Sequence, residues 1–208
     1  MILAIDTATA ACSAALIEGD GVPLAVSETV GRGHAERLVP MVEALLRDAG
    51  GVVPDAILVD CGPGSFTGVR VGLAAAIGMG MGWGVPVRGC SSMALVAAAC
   101  FASDPGLEAC AVALNGGHGE LFVQRFATHP FAMTSDLVSL PPSEAARFAS
   151  EDVVAGSGAS ALVEARGTGT AIDALPNAAS ASLLPPAFAT LQPRPLYGRP
   201  PDAKPKAA

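Results

Sequence analysis

Two short segments carry residues whose types and spacing suit phosphate chemistry. The first is Ile5-Asp6-Thr7-Ala8-Thr9, at the end of the opening apolar run Ile2 to Ile5. An acid followed by small hydroxyl residues in a hairpin can orient a hydrated cation, while the turn's N–H and O–H groups hold phosphate oxygens. The same residues also suit a plain turn cap, and Asp6 and Thr7 alone favour that blander role. The second segment is Gly62-Pro63-Gly64-Ser65-Phe66-Thr67-Gly68, between a strand-like and a helix-like run. Its glycines permit a tight turn, Ser65 can cap the helix, and the first helical N–H groups attract anions. The segment lacks the Lys-Ser/Thr of a P-loop, and Thr67 stands where the dinucleotide fingerprint needs its third glycine. Asp6, Thr7, Gly62, Gly64 and Ser65 are therefore the candidate cofactor-binding residues, as a vestigial phosphate site.

No residue set marks a catalytic centre. There is no G-x-S-x-G elbow, and His34, His118 and His129 form no short-spaced pair for a metal. Five cysteines without a C-x-x-C pair read as buried free thiols in a reducing, cytoplasmic setting. Met1 leads directly into a strand-like run with no basic leader, so a signal peptide is not expected. Val71 to Val87 is uncharged, but it is short and glycine-rich, which argues for a buried helix and strand over a membrane span.

The elements that must position these residues follow from periodicity. Ser13 to Ile17 and Pro23 to Glu28 read as strands around a Glu18-Gly19-Asp20-Gly21 hairpin turn. His34 to Asp48 has helical spacing and stops at Gly50-Gly51. Ala56 to Asp60, Ser65 to Trp83, Val85 to Cys90 and Ser91 to Phe101 continue as strand, helix, strand, helix. Ser103-Asp104-Pro105-Gly106 is the candidate lobe boundary. Beyond it Ala109 to Leu114, Glu120 to Phe126 and Met133 to Leu140 read as strands, and Pro142-Ser143 caps a short helix to Ser150. Val153 to Ala155 reads as a strand; Ala159 to Ala165 and Ser180 to Thr190 have weak helical character. The expected division is an N-terminal lobe over 1–103, a smaller C-terminal lobe over 104–191, and a Pro-rich basic tail over 192–208. With 51% hydrophobic and only 15% charged residues the chain is globular, and aromatics at 4% make its core one of small side chains.

Two helical features ask for a packing partner. Gly64, Gly68, Gly72, Ala76, Gly80 and Gly84 recur every four residues, leaving a groove along the helix. Each internal glycine weakens a helix by about 1 kcal/mol relative to alanine, so the stripe needs a packing reason. In the preceding helix Leu38, Met41, Val42 and Leu45 form one stripe, widened by Val39 and Leu46, and Pro40 removes one intrahelical hydrogen bond. Leu38, Met41, Val42, Leu45, Gly68, Gly72 and Ala76 are the candidate partner-interface residues, the alternative being a partner within the chain.

Together, Ile2 to Thr9, Gly33-His34-Ala35-Glu36-Arg37-Leu38-Val39-Pro40 and Gly62 to Gly72 resemble the TsaB (YeaZ) family. Gly84-Val85-Pro86-Val87, Ser91-Ser92 and the tail Pro195 to Ala203 continue the resemblance, which is weak between Ala109 and Pro193. It implies an α/β, actin-like and Hsp70-like ATPase-type fold of two lobes, each a mixed β-sheet flanked by helices. It further implies a non-catalytic scaffold and dimerisation subunit. The complex it serves installs threonylcarbamoyl on the adenosine next to the anticodon of tRNA. The implied partners are a catalytic TsaD-type paralogue, a TsaE-type ATPase, and a second copy of the chain through a similar surface. In the catalytic paralogue a His-x-x-x-His pair binds metal; here Ser92 and Val96 stand in its place, and neither can replace imidazole. Leu114 to Glu120 departs from the family's Asp-Ala-Arg-like strand. With a net charge of −7 and no basic face, tRNA contact is expected only through the complex. No membrane role and no firm cofactor are implied, with ATP or ADP binding weak at most. The alternative is a small actin-fold kinase or ATPase acting on its own, using Asp6 and the Gly62–Gly64 loop, with Gly156-Ser157-Gly158 as a candidate adenosine contact.

Overall fold

A computed structural model describes residues 1–19 and 21–198. Asp20 of the expected hairpin turn, and Arg199, Lys204 and Lys206 of the basic tail, lie outside the described residues.

The first lobe is built on β1 (Ile2–Asp6), β2 (Ala11–Ile17), β3 (Leu24–Thr29), β4 (Ala56–Asp60) and β5 (Val87–Cys90). The sheet order is β3-β2-β1-β4-β5. β1 pairs antiparallel with β2 and parallel with β4, and β5 joins β4 in parallel. α1 (His34–Asp48) and α2 (Phe66–Trp83) cover one face, and α3 (Ser92–Ser103) lies on the other. Ser65 caps α2, its side chain accepting from the Gly68 N–H at 3.2 Å, and Ser91 caps α3 in the same way. Gly84, in the left-handed region, ends α2.

The second lobe comprises β6 (Ala109–Asn115), β7 (Leu121–Thr128), β8 (Phe131–Met133), β9 (Val138–Leu140), α4 (Pro142–Phe148), β10 (Val153–Ala155), α5 (Ala159–Arg166) and β11 (Thr170–Ile172). Its order, β11-β10-β6-β7-β8, repeats that of the first sheet. β6 takes the place of β1, β7 of β2, and β10 of β4, with the same parallel and antiparallel relations. The expected arrangement of two mixed sheets, each flanked by helices, is what the chain adopts.

Three expectations need correction. The run Met133 to Leu140 is two short strands, not one: both pair with β7, and Ser135 bonds back to Arg125 between them. Pro141, not Pro142-Ser143, occupies the cap of α4, and no side chain caps it. Ser180 to Thr190 is not an α-helix but two 3-10 segments, Ala178–Leu183 and Pro186–Phe188.

One core spans both lobes. Nine of the twelve residues of α3 are buried and only its last turn, at Ala102 and Ser103, reaches solvent, so the helix is packed between the two sheets. Leu58, Met93, Leu95, Val96, Phe101, Val112 and Phe126 belong to one contiguous cluster, closed by Ala178, Ala181 and Leu184 of the returning chain. All five cysteines are buried and free. Among the described residues no helix is long and apolar enough to cross a membrane.

Candidate functional site

The site begins where the parallel strands of the first sheet end. β1 and β4 deliver Asp6 and Asp60 side by side, 0% and 1% exposed. Each oxygen has a partner. Asp6 accepts from the Ala8 N–H at 2.8 Å and from the Ser13 hydroxyl at 3.3 Å. Asp60 accepts from the Gly62 N–H at 2.8 Å and the Ser92 hydroxyl at 2.6 Å. The two carboxyl groups are buried together, so ionising both would set two like charges side by side. Burial, and then the charge of Asp60, push the Asp6 carboxyl well above the ordinary carboxylate range. Burial raises Asp60 too, but the Ser92 and Gly62 bonds favour its charged form. Asp6 is therefore the proton carrier and Asp60 the carboxylate. Asp6 is fully buried with both oxygens bonded within the chain, so it is not presented to a hydrated cation. Among the described residues, no group of three or more His, Cys, Asp or Glu side chains is placed to hold a metal.

Thr7 is buried as well, its hydroxyl donating to the Gly68 carbonyl at 2.8 Å. Gly62 sits under the chain's own return, while Gly64 packs so tightly on the Ala8 carbonyl that a Cβ would collide with it. Of the five candidate cofactor residues only Gly64 and Ser65 line a cavity.

That cavity, about 550 Å³, is the cleft between the lobes. The first lobe supplies Ala8, Thr9, Ala10, Gly64, Ser65 and Phe66; the second supplies Leu114, Asn115, Gly116, Gly117 and Ser157. The second lobe's loop mirrors the first. Gly156 and Gly158 press on the Ala113 carbonyl as Gly64 presses on that of Ala8, and the Gly158 N–H bonds Ala113 as the Ser65 N–H bonds Ala8. Close strand-to-hairpin packing thus accounts for both glycine pairs. Arg70 is the cation at the mouth, its guanidinium 3.3 Å from the centre of the Phe66 ring.

The small-residue stripe of α2 points inward, against its assignment to a partner surface. A Cβ at Gly68 or Gly72 would collide with Thr7, and one at Gly80 with Val87; Ala76 is fully buried. The groove is filled by β1, its following turn, and β5. Leu38, Met41, Val42 and Leu45 are likewise buried in the first lobe's own core. None of the seven candidate interface residues is on the surface. The physical reason is that glycines mark close approach without saying what approaches.

The outward faces carry the signal that was missed. On α2, Phe66, Ala74, Ile77 and Met81 are exposed, Met81 by 80%; on α1, Val39 is exposed by 53% beside Pro40 and Ala44. Ala74, Ile77 and Met81 follow a helical spacing of three and four, so they form one apolar stripe; Phe66 is set apart from it by Arg70, one turn on. The absence of charge from Val71 to the end of α2 could have pointed to it: a helix segment apolar all round cannot bury every side in a two-layer lobe.

His34 is the first residue of α1, buried, with Nε2 donating to the Thr9 carbonyl at 2.8 Å. Ser92 is held by Asp60, and Val96 is 1% exposed in the shared core.

The family model described as tRNA N6-adenosine threonylcarbamoyltransferase, TsaD, matches residues 22–136. The tRNA threonylcarbamoyladenosine biosynthesis protein TsaB of Escherichia coli (strain K12) is 39% identical over 123 residues, covering 58% of this chain and 52% of its own. The protein of the same name in Bacillus subtilis (strain 168) is 35% identical over 99 residues, 47% of this chain and 43% of its own. The chain spans about half the length of the curated relatives it matches. Among solved structures, YeaZ from Pseudomonas aeruginosa superimposes with a TM-score of 0.79 at 32% identity, covering 94% of this chain and 98% of that one.

Proposed function

We propose, from the premise that the chain belongs to the TsaB (YeaZ) family, that it is the scaffold subunit of the assembly that puts threonylcarbamoyl on the adenosine next to the anticodon of tRNA. In this reading it supports a TsaD-type catalytic subunit, a TsaE-type ATPase joins the pair, and the chain has no catalytic centre of its own. It works in the cytoplasm, where tRNA is modified and its five thiols stay reduced.

The observation that carries the scaffold reading is the fate of Ser92 and Val96. At the positions where the resemblance puts the paralogue's metal ligands, one side chain is bound to Asp60 and the other is packed in the core. Neither can receive a metal. The mechanical role falls to the outward faces of α1 and α2. An exposed apolar stripe of Ala74, Ile77 and Met81 on α2, with exposed Val39 on α1, suits helix-to-helix pairing with the paralogue or with a second copy. The net charge of −7 favours tRNA contact only within the complex. A solitary kinase finds little support, because Asp6 and Asp60 are both buried and their oxygens are bonded to the chain's own N–H and O–H groups, away from the cleft.

The test is co-purification with the paralogue from the same cell, followed by assay of the pure chain and of the pair. The expected result is a stable pair, with no modified tRNA from the chain alone given tRNA and threonylcarbamoyl adenylate. Product formation by the isolated chain would overturn the scaffold assignment.

A further inference from the structure

After the 3-10 segment Pro186–Phe188 the chain returns to the first lobe and crosses the mouth of the cleft. Leu191 pairs with Gly89 at the edge of β5, each N–H donating to the other's carbonyl, at 2.7 and 3.0 Å. The Cys61 thiol donates to the Gln192 carbonyl at 3.6 Å, and the Leu196 N–H donates to the Cys61 carbonyl at 2.8 Å. Leu196 then packs on the first lobe's core. Arg70 of α2 donates to the Tyr197 hydroxyl at 2.6 Å while lying over the Phe66 ring. Finally Gly198 lies flat on the ring of Phe122, so close that a Cβ would collide with ring carbons. Phe122 belongs to β7, in the other lobe. Eight residues therefore touch β5, the end of β4, α2 and the second sheet in turn, and Pro195 to Gly198 form one wall of the cleft.

We propose that residues 191–198 are a strap that latches the two lobes together across the cleft and governs access to it, with the Arg70–Tyr197 contact as its release point. The Leu196 N–H bonds inward, to the carbonyl of buried Cys61, and Leu191 makes two backbone bonds to the edge of β5. The Arg70–Tyr197 bond is open to water, Tyr197 being 61% exposed, so solvent can compete for both partners there. The last anchor, Gly198 on Phe122, lies beyond Tyr197 and holds only while Tyr197 is seated. The latch does not depend on pairing with a catalytic subunit, since it is made entirely within this chain.

Cys61 supplies a native reporter. It is fully buried beneath the strap; Cys90 is its neighbour, its carbonyl accepting from the Cys61 N–H at 2.9 Å, while Cys12, Cys100 and Cys110 lie elsewhere in the cores. Alkylation of the full chain by iodoacetamide, read thiol by thiol by peptide mass spectrometry, measures how often the strap lifts, because a buried group reacts in proportion to its local opening. Arg70→Met keeps the aliphatic stem and removes the donor; Tyr197→Phe keeps the ring and removes the acceptor. Each should raise the Cys61 rate about tenfold and leave Cys12, Cys100 and Cys110 unchanged. Gly198→Val, a wedge against Phe122, should do the same with the Arg70–Tyr197 pair intact. The single tyrosine, labelled in its ring, should show one NMR resonance that moves toward the free amino acid in Arg70→Met. A Cys61 rate unchanged in the Arg70 and Tyr197 variants would overturn the release point. An unchanged rate in Gly198→Val would overturn the latch to the second lobe. An equal rise at all five thiols would overturn both, since the strap would then be inseparable from the global fold.

Discussion

Replacing Asp6 by asparagine should make the protein's stability less dependent on pH, and the size of the effect follows from the buried pair. In the folded state Asp6 keeps its proton to a pH well above the ordinary carboxyl value, because of burial first and the Asp60 charge second. In the unfolded chain it titrates near 3.9, as a free aspartate does, to within about a unit. Between those two values folding takes up one proton. A carboxyl raised in this way contributes its stability fully below the unfolded pKa and loses it as pH rises toward the folded pKa. The slope is about −1.4 kcal/mol per pH unit for one proton. Asp6→Asn keeps the shape, keeps an acceptor for the Ala8 N–H, and is neutral beside Asp60 with no proton uptake; only the 3.3 Å Ser13 contact is weakened. Over the range in which folded Asp6 keeps its proton, the wild type should lose about 1.4 kcal/mol per pH unit relative to the variant. Asp60 is raised by burial in the same direction, but it is present in both proteins. Urea denaturation followed by circular dichroism at pH 5, 6, 7 and 8 measures this directly. Parallel stability curves for the two proteins would refute the retained proton.

Three further outcomes are expected. Gly72→Ala should cost about 1–3 kcal/mol of monomer stability, because its new methyl meets the Thr7 hydroxyl inside the fold; thermal unfolding shows whether it does. Ile77→Asp with Met81→Asp should weaken pairing with the paralogue at least tenfold, by calorimetry, at an unchanged melting temperature, since both side chains face water in the monomer. Arg125→Met should cost about 3 kcal/mol in chemical denaturation. It strands the Glu151 carboxylate, which is 7% exposed, accepts from Arg125 at 2.6 Å and has its second oxygen unpartnered.

The first lobe was largely legible because its signals are local. Gly50-Gly51 stops α1 at Asp48, Ser65 and Ser91 cap the next two helices, and the five residues of β4 form an unbroken apolar run ending in an acid. The second lobe was legible in part. β11 was missed because its three residues are all exposed and flanked by glycines, so neither alternation nor burial marks it. The site was harder. The sequence put Asp6 at the end of a strand, but not beside Asp60, since pairing across parallel strands leaves no trace in spacing. Sidedness was the other loss. The glycines of α2 announced a close contact, and only the fold tells that Thr7 and Val87 make it, leaving Ile77 and Met81 to face outward.

The helix shared between the lobes also dictates how the chain must fold. α3 is buried on every side except at its last turn, so the first hundred residues cannot finish a core alone. They wait for Ala178 and Ala181, which close the same cluster, and for the Ala178 N–H that reaches Ser13 across 165 residues. Contacts that distant in sequence raise the entropy lost before any packing is gained, and so slow the search. Emerging from the ribosome, the first sheet has its order but an uncovered apolar face until nearly the whole chain is made. The lobes should therefore complete their fold together, late in synthesis, as one cooperative unit.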